Sequence, residues 1–240
     1  MIGVASLHIL NLKSKRGVSE ILAGVIVSFT IVSLTLIVYG LSVPYTSSLI
    51  GRGVEALADE SILALAESIE RLEFKGESKL LELPGFSYIS IIYTENLTLF
   101  ANGALIGEWR GFEIVAFTST PMSANNTVLF GGCDYFSLNG SCISAVKYNF
   151  AIKLLFGVQV SSFGNHLYVR VYTIESAKVL EGGRIRIAVT SALKSIYNVP
   201  CPHGRLKLIL VSSDEVRSLS MRVRSGSAII LFEILKLEVR

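Results

Sequence analysis

The sequence predicts an α+β chain: an N-terminal transmembrane helix kinked into a second, amphipathic helix, followed by an antiparallel β-sandwich-like domain. Three observations predict it. Residues 18–43 contain only Glu20 and Tyr39 as ionisable groups. Apolar residues then recur at helical spacing up to Leu72. From residue 76 onward, apolar alternations are separated by Gly, Pro and Asn turn signals.

The first helix follows from length and solvent. As a helix, Val18 to Val43 spans about 39 Å, enough for a hydrocarbon layer of about 30 Å. Lipid offers the backbone no hydrogen-bond partners, so the segment must satisfy its own. Lys13, Lys15 and Arg16 precede it, and the positive-inside rule puts the N-terminus in the cytoplasm and everything after Pro44 outside. A cleaved secretory signal fits less well: its apolar region is about 7–15 residues long and ends in a small-x-small site, which GLSVP does not match. Pro44 removes a backbone donor and is expected to kink or interrupt the helix.

Residues 44–75 form the expected amphipathic helix. Ile50, Val54, Leu57, Ala58, Ile62, Leu65, Ile69 and Leu72 share one side, while Glu55, Asp59, Glu60, Glu67, Glu70 and Arg71 take mainly the other. Glu67 and Arg71 make an i,i+4 pair worth a few tenths of a kcal/mol. Glu55, Asp59 and Glu60 are expected to be a solvated face, not a catalytic carboxylate pair.

Gly76 and Pro84-Gly85 close the helical part. SYISIIY and LTLFA lead to Asn102-Gly103, a hairpin signal, and ALIGEW continues beyond it. FEIVAFT, a cysteine-flanked loop and ISAVKYNFAIKLLF follow. In HLYVRVYTI, Leu167, Val169 and Val171 point one way and His166, Tyr168, Arg170 and Tyr172 the other. RIRIAV, RLKLILV, MRVRS and AIILFEILKLEVR complete the strands, with Arg184, Arg186, Lys236, Glu238 and Arg240 outward. Such strands predict a sandwich packed on the second helix, and no helices alternate with them as a doubly wound fold requires.

Composition narrows the function. The 240 residues are 51% hydrophobic, with a mean hydropathy of +0.56. Charged residues are 17%, against about 25% in soluble domains. The net charge of +3 is scattered, so no nucleic-acid footprint is expected. No Gly-x-Ser-x-Gly elbow or phosphate-binding loop occurs, Gly182-Gly183 is expected as a hairpin turn, and His166 as a strand surface residue. No enzymatic activity, cofactor or metal is predicted. Cys201 and His203 form a Pro-rich turn rather than a metal site, which needs about four ligands. Cys133 and Cys142 flank a turn, and outside the cytosol they can close a small disulfide loop. Asn96, Asn125 and Asn139 head Asn-x-Ser/Thr sequons, each expected in or near a loop, and are glycosylation candidates in an exported chain.

Lys15-Arg16-Gly17-Val18-Ser19-Glu20, set directly before the apolar helix, resembles the class III signal peptide of archaeal type IV pilins and pilin-like proteins. The motif-level resemblance covers Lys13 to about Tyr45; beyond that it is architectural. It implies cleavage between Gly17 and Val18 by a membrane-embedded prepilin peptidase. Residues 1–17 would be the leader, 18–43 the assembly helix and 76–240 an extracellular β domain. A glycine before the cut lets an extended backbone approach a protease closely. The resemblance also implies an assembly ATPase and a polytopic platform protein as partners. Glu20 would lie in the first turn of the mature helix, where a carboxylate is favourable. The family's bacterial members have an assembly glutamate at mature position five, whereas Glu20 is third. An assembly role and a plain helix-start charge therefore both stand. Gly24, Ser28, Thr30, Ser33, Thr35 and Gly40 suit close helix packing.

The expectation is a pilin-like subunit that self-assembles through its apolar helix into a surface filament, with adhesion, DNA exchange and motility all open as its role. The alternative is an uncleaved, membrane-anchored extracellular β-sandwich that binds a ligand, or a minor pilin between the two.

Overall fold

A computed structural model describes the backbone of residues 3–72, 78–123, 126–131, 135–181, 183–224 and 226–240. Within the helix, side chains are described for Ser19 and from Ile21 onward. The chain divides into two compact units, Met1–Ile50 and Gly51–Arg240.

One helix, α1 (Gly3–Leu72), replaces the two expected, and Pro44 lies inside it. An interior proline forfeits a hydrogen bond, but hydroxyls and adjusted backbone can satisfy the groups it frees. Around Pro44, Ser42 Oγ donates to Tyr39 O (3.2 Å), Thr46 Oγ1 to Ser42 O (2.6 Å) and Ser47 Oγ to Pro44 O (2.9 Å). None of these reaches Gly40 O, the carbonyl that Pro44 leaves without its helical donor, yet the helix continues through Pro44.

In the second unit the strands are β1 (Ser78–Glu82), β2 (Phe86–Ala101), β3 (Ala104–Thr118), β4 (Thr127–Phe130), β5 (Phe136–Leu138), β6 (Ile143–Lys147) and β7 (Ala151–Phe156). They continue with β8 (Val158–Phe163), β9 (His166–Ile174), β10 (Lys178–Glu181), β11 (Arg184–Pro200), β12 (Arg205–Val211), β13 (Val216–Arg222) and β14 (Ser227–Val239). One sheet has the order β1-β11-β14-β9-β8-β5. The other runs β13-β12-β2-β3-β7-β6-β4, with β10 also beside β2.

Most of the expected strands are present, several of them longer than expected, but of MRVRS only Met221 and Arg222 are strand, at the end of β13. SYISIIY and LTLFA are one strand, β2, and Asn102 (φ 46°) and Gly103 (φ 85°) turn it into β3. Positive φ at both turn residues is what a two-residue hairpin requires. Two expectations change. Pairing is not wholly antiparallel, because β14 runs parallel to β9 and β5 parallel to β8. Nor do the strands flanking Gly182-Gly183 form a hairpin: β10 pairs β2 and β11 pairs β1, so the chain changes sheets there. Gly182 itself lies outside the described residues. A two-residue glycine signal permits a sharp turn but does not say which sheet receives the next strand.

Both sheets contribute to two buried clusters. One gathers Ala58, Ile62, Leu65, Ile69 and Leu72 of α1 with Ile89, Ile114, Ile152, Tyr172, Ile187 and Leu237. The other centres on Leu99, Trp109, Val160, Val169, Leu208, Ile230 and Phe232. Of the residues assigned to the inner face of the second helix by periodicity, Ala58, Ile62, Leu65, Ile69 and Leu72 are thus core, whereas Ile50 (58% exposed) and Leu57 (45%) are exposed and Val54 is half-buried. Gly85 (φ 92°) lets the β1–β2 turn reach this helix: a Cβ there would meet Ala58 N at 3.0 Å and Val54 O at 3.1 Å. Ser61 Oγ donates to Pro84 O at 2.9 Å and fixes the contact.

Candidate functional site

In the unit Met1–Ile50, the helix is long and apolar enough to cross a membrane, and its most apolar window has no buried residues. Phe29 is 72% exposed and Leu41 69%. Exposing such side chains to water costs about 1.5–3 kcal/mol each, so the surface calls for an apolar surrounding. Thr30 Oγ1 donates to Ile26 O and Thr35 Oγ1 to Ile31 O, each at 2.8 Å. Those two hydroxyls carry no unmet donor into that surrounding. A Cβ at Gly24 or Gly40 would meet nothing within 4 Å, so both positions are open. The backbone of Lys15 to Glu20, the expected processing junction, lies within α1, and the side chains of Lys15, Arg16, Gly17, Val18 and Glu20 are outside those described.

The second unit contains a charged cluster that the sequence does not announce. Lys147, at the end of β6, is 4% exposed. Its Nζ lies 2.8 Å from Glu55 Oε1 and 2.6 Å from Asp59 Oδ2, both on α1. Glu55 also accepts from Ser123 N (3.2 Å) and Ser123 Oγ (2.6 Å). Hydrogen bonds from Lys147 and then Ser123 hold the Glu55 carboxyl below its ordinary value, against the opposing effect of burial. Burial opposes the charge on Lys147, yet the Asp59 and Glu55 contacts outweigh it and raise the ammonium's pKa. Glu55 and Asp59 are therefore ion-paired against the sheet and not a freely solvated face. The one available signal was a lysine inside the apolar run ISAVKYNFAIKLLF, since a buried lysine needs a carboxylate partner.

The remaining predicted residues fall in different places. Cys142 is buried, and Cys133 lies outside the described residues. Asn96 is exposed within β2, where the pairing with β3 shifts register between Tyr93 and Asn96. It thus sits in a strand rather than a loop. Asn139 (φ 55°) is exposed in a bend, its Oδ1 accepting from Ser162 N at 3.1 Å. Asn125 lies outside the described residues. Cys201 is fully buried, burial raises its thiol pKa, and its Sγ donates to Val199 O at 3.4 Å. Among the described residues no group of three or more His, Cys, Asp or Glu is placed to hold a metal ion.

A cavity of about 200 Å³ lies among Leu97, Phe112, Leu155, Phe156, Tyr135 and Glu95. Glu95 Oε2 accepts from Ser213 N (3.0 Å) and Oγ (2.6 Å), and the bond from the Ser213 hydroxyl lowers its pKa. The volume is below the roughly 300–1,000 Å³ of ordinary ligand pockets. Compared with protein-family models, curated proteins and solved structures, the chain matches none.

Proposed function

We propose that this chain is a pilin-like structural subunit of an archaeal type IV pilus-like surface filament. It is cut after Gly17 and assembles through the apolar helix that follows. The observation that carries this reading is a juxtaposition in the sequence: Lys15-Arg16-Gly17-Val18-Ser19-Glu20 stands directly before the apolar stretch of α1, whose apolar side chains from Ile21 to Val43 find no cover among the described residues. Before assembly the lipid covers them, with the N-terminus in the cytoplasm and the β-rich unit outside. After assembly the helices of neighbouring subunits do, and close approach at Gly24 and Gly40 favours that packing. In this reading the helix bends near Pro44, its later half is amphipathic, and the two sheets are the layers of a sandwich. A prepilin peptidase, an assembly ATPase and a membrane platform protein act on the chain, which itself catalyses nothing.

Co-expression with a prepilin peptidase tests the proposal. The chain is expected to lose the segment up to Gly17, and Gly17→Val is expected to block that loss. Equal processing of both forms contradicts the assignment. The second reading, an uncleaved anchored binding module, predicts no processing of either form.

A further inference from the structure

The outer face and free edge of the six-stranded sheet carry an inference independent of the filament reading. Register places Ile196, Leu231, Tyr168 and Ser161 side by side on β11, β14, β9 and β8. The adjacent row is Lys194, Glu233, Arg170 and Gln159. Glu233 bridges its two cations, with Lys194 Nζ and Arg170 Nε each 3.1 Å from a carboxylate oxygen. On the other side of the apolar row are Asn198, Ile229, His166 and Phe163. Ile196 and Phe163 are each 72% exposed, and Tyr168 is 40% exposed.

This surface ends at an open strand edge. β1 pairs with β11 only as far as Ala188, and among the described residues no strand flanks β11 beyond it. Cys201 N donates to Gly226 O at 2.7 Å, in the same register as Pro200 opposite Ser227. Antiparallel alternation then turns the backbone groups of odd-numbered residues from Leu193 to Val199 toward β14. Those of Lys194, Ile196 and Asn198 turn away from it. The window is bounded. A register shift between Ser191 and Leu193 interrupts the edge on one side. Pro200, which has no N–H and whose carbonyl accepts from Asn102 Nδ2 at 2.8 Å, closes it on the other.

We infer that this edge pairs with the same edge of a second copy, antiparallel about a two-fold axis at Ile196. The occupant is argued from self-complementarity. With Ile196 opposite its mate, Lys194 faces the mate's Asn198, so no like charges meet. On the inner side the bulky Tyr197 faces the small Ser195. Each copy's three outward N–H groups find three outward carbonyls, and the apolar row Ile196–Leu231–Tyr168 continues into the other copy's. A five-residue edge makes a small interface, and the bulge and proline restrict it to one register instead of open-ended aggregation. Unlike the filament contact, this one has two-fold symmetry, so it joins subunits that do not follow one another in a polar filament.

Disulfide trapping of the full-length protein in detergent tests it. Paired residues in this geometry have Cα atoms about 5.5 Å apart, within disulfide reach. Ile196→Cys is expected to form a covalent dimer about 100-fold faster than Val179→Cys, an exposed position on the other sheet (62% against 72%), as held groups outpace random collision. A mixture of Lys194→Cys and Asn198→Cys chains is expected to cross-link as a heterodimer, while neither does so alone. Any other pattern overturns the pairing, including equal rates at residues 196 and 179 or cross-linking of Lys194→Cys with itself. None of these outcomes depends on cleavage at Gly17, so failure here leaves the filament reading standing.

Discussion

Lys147→Met removes the ammonium that joins β6 to α1 while keeping most of the side chain's volume. Lys147 is 5% exposed at its side chain, against 15% for Glu55 and 28% for Asp59. Breaking a buried pair by deleting one partner costs about 3–5 kcal/mol, because the remaining charge is stranded. Here the stranded carboxylates retain some water, which places the cost near the lower bound, about 3 kcal/mol. At about 2–4 °C per kcal/mol for a unit of this size, Tm falls by about 6–12 °C. The fluorescence of Trp109, 8% exposed and the sole tryptophan, reports the transition in detergent-solubilised protein.

The pH dependence is signed. Glu55 has a depressed pKa in the fold, so its contribution is present above its unfolded value and is lost as pH falls through the folded one. Lys147 has a raised pKa, so its contribution is complete below its unfolded value and disappears as pH rises through the folded one. Wild type therefore loses stability on acidification from neutral pH. In the variant Glu55 has lost the Lys147 bond that is the largest cause of its depressed pKa, so less stability is lost on acidification and the difference in Tm narrows toward low pH. Adding Glu55→Gln and Asp59→Asn to Lys147→Met is expected to recover part of the loss. A fall below about 2 °C, or a gap that does not change with pH, refutes a buried ionic clasp.

Two further outcomes follow from packing. Gly107→Ala places a Cβ 2.4 Å from Phe232 Cε1. It is expected to destabilise by about 1–3 kcal/mol, with Phe232→Leu relieving part of the loss in a double variant; urea unfolding measures both. Cys201, fully buried with a raised thiol pKa, is expected to resist alkylation at pH 8 in the folded protein and to react promptly in denaturant, as read by peptide mass mapping.

Local chemistry was legible in the sequence, and long-range placement was not. Alternation put Leu167, Val169 and Val171 on one side of their strand, and all three are at most 2% exposed, but it put Tyr172 on the other side, where that residue is buried as well. Asn102-Gly103 marked its hairpin because few residue pairs accept positive φ twice. Helical spacing found Ala58, Ile62, Leu65 and Ile69, all fully buried. Period-two alternation carries no direction, however, so the parallel pairing of β9 with β14 and the change of sheets between β10 and β11 left no local mark. The clasp was hidden for a similar reason. Lys147 and Asp59 are 88 residues apart in sequence, and only the folded chain shows that an acidic helix face meets a lysine in an apolar strand. The junction from Lys15 to Glu20, by contrast, rests on sequence alone.

That junction carries the central claim, and the most direct measurement is the N-terminus of the chain purified from its native membrane, by intact mass and terminal sequencing. Processing as a filament subunit predicts a chain beginning Val18-Ser19-Glu20. A chain beginning at Met1, or near Pro44, contradicts it.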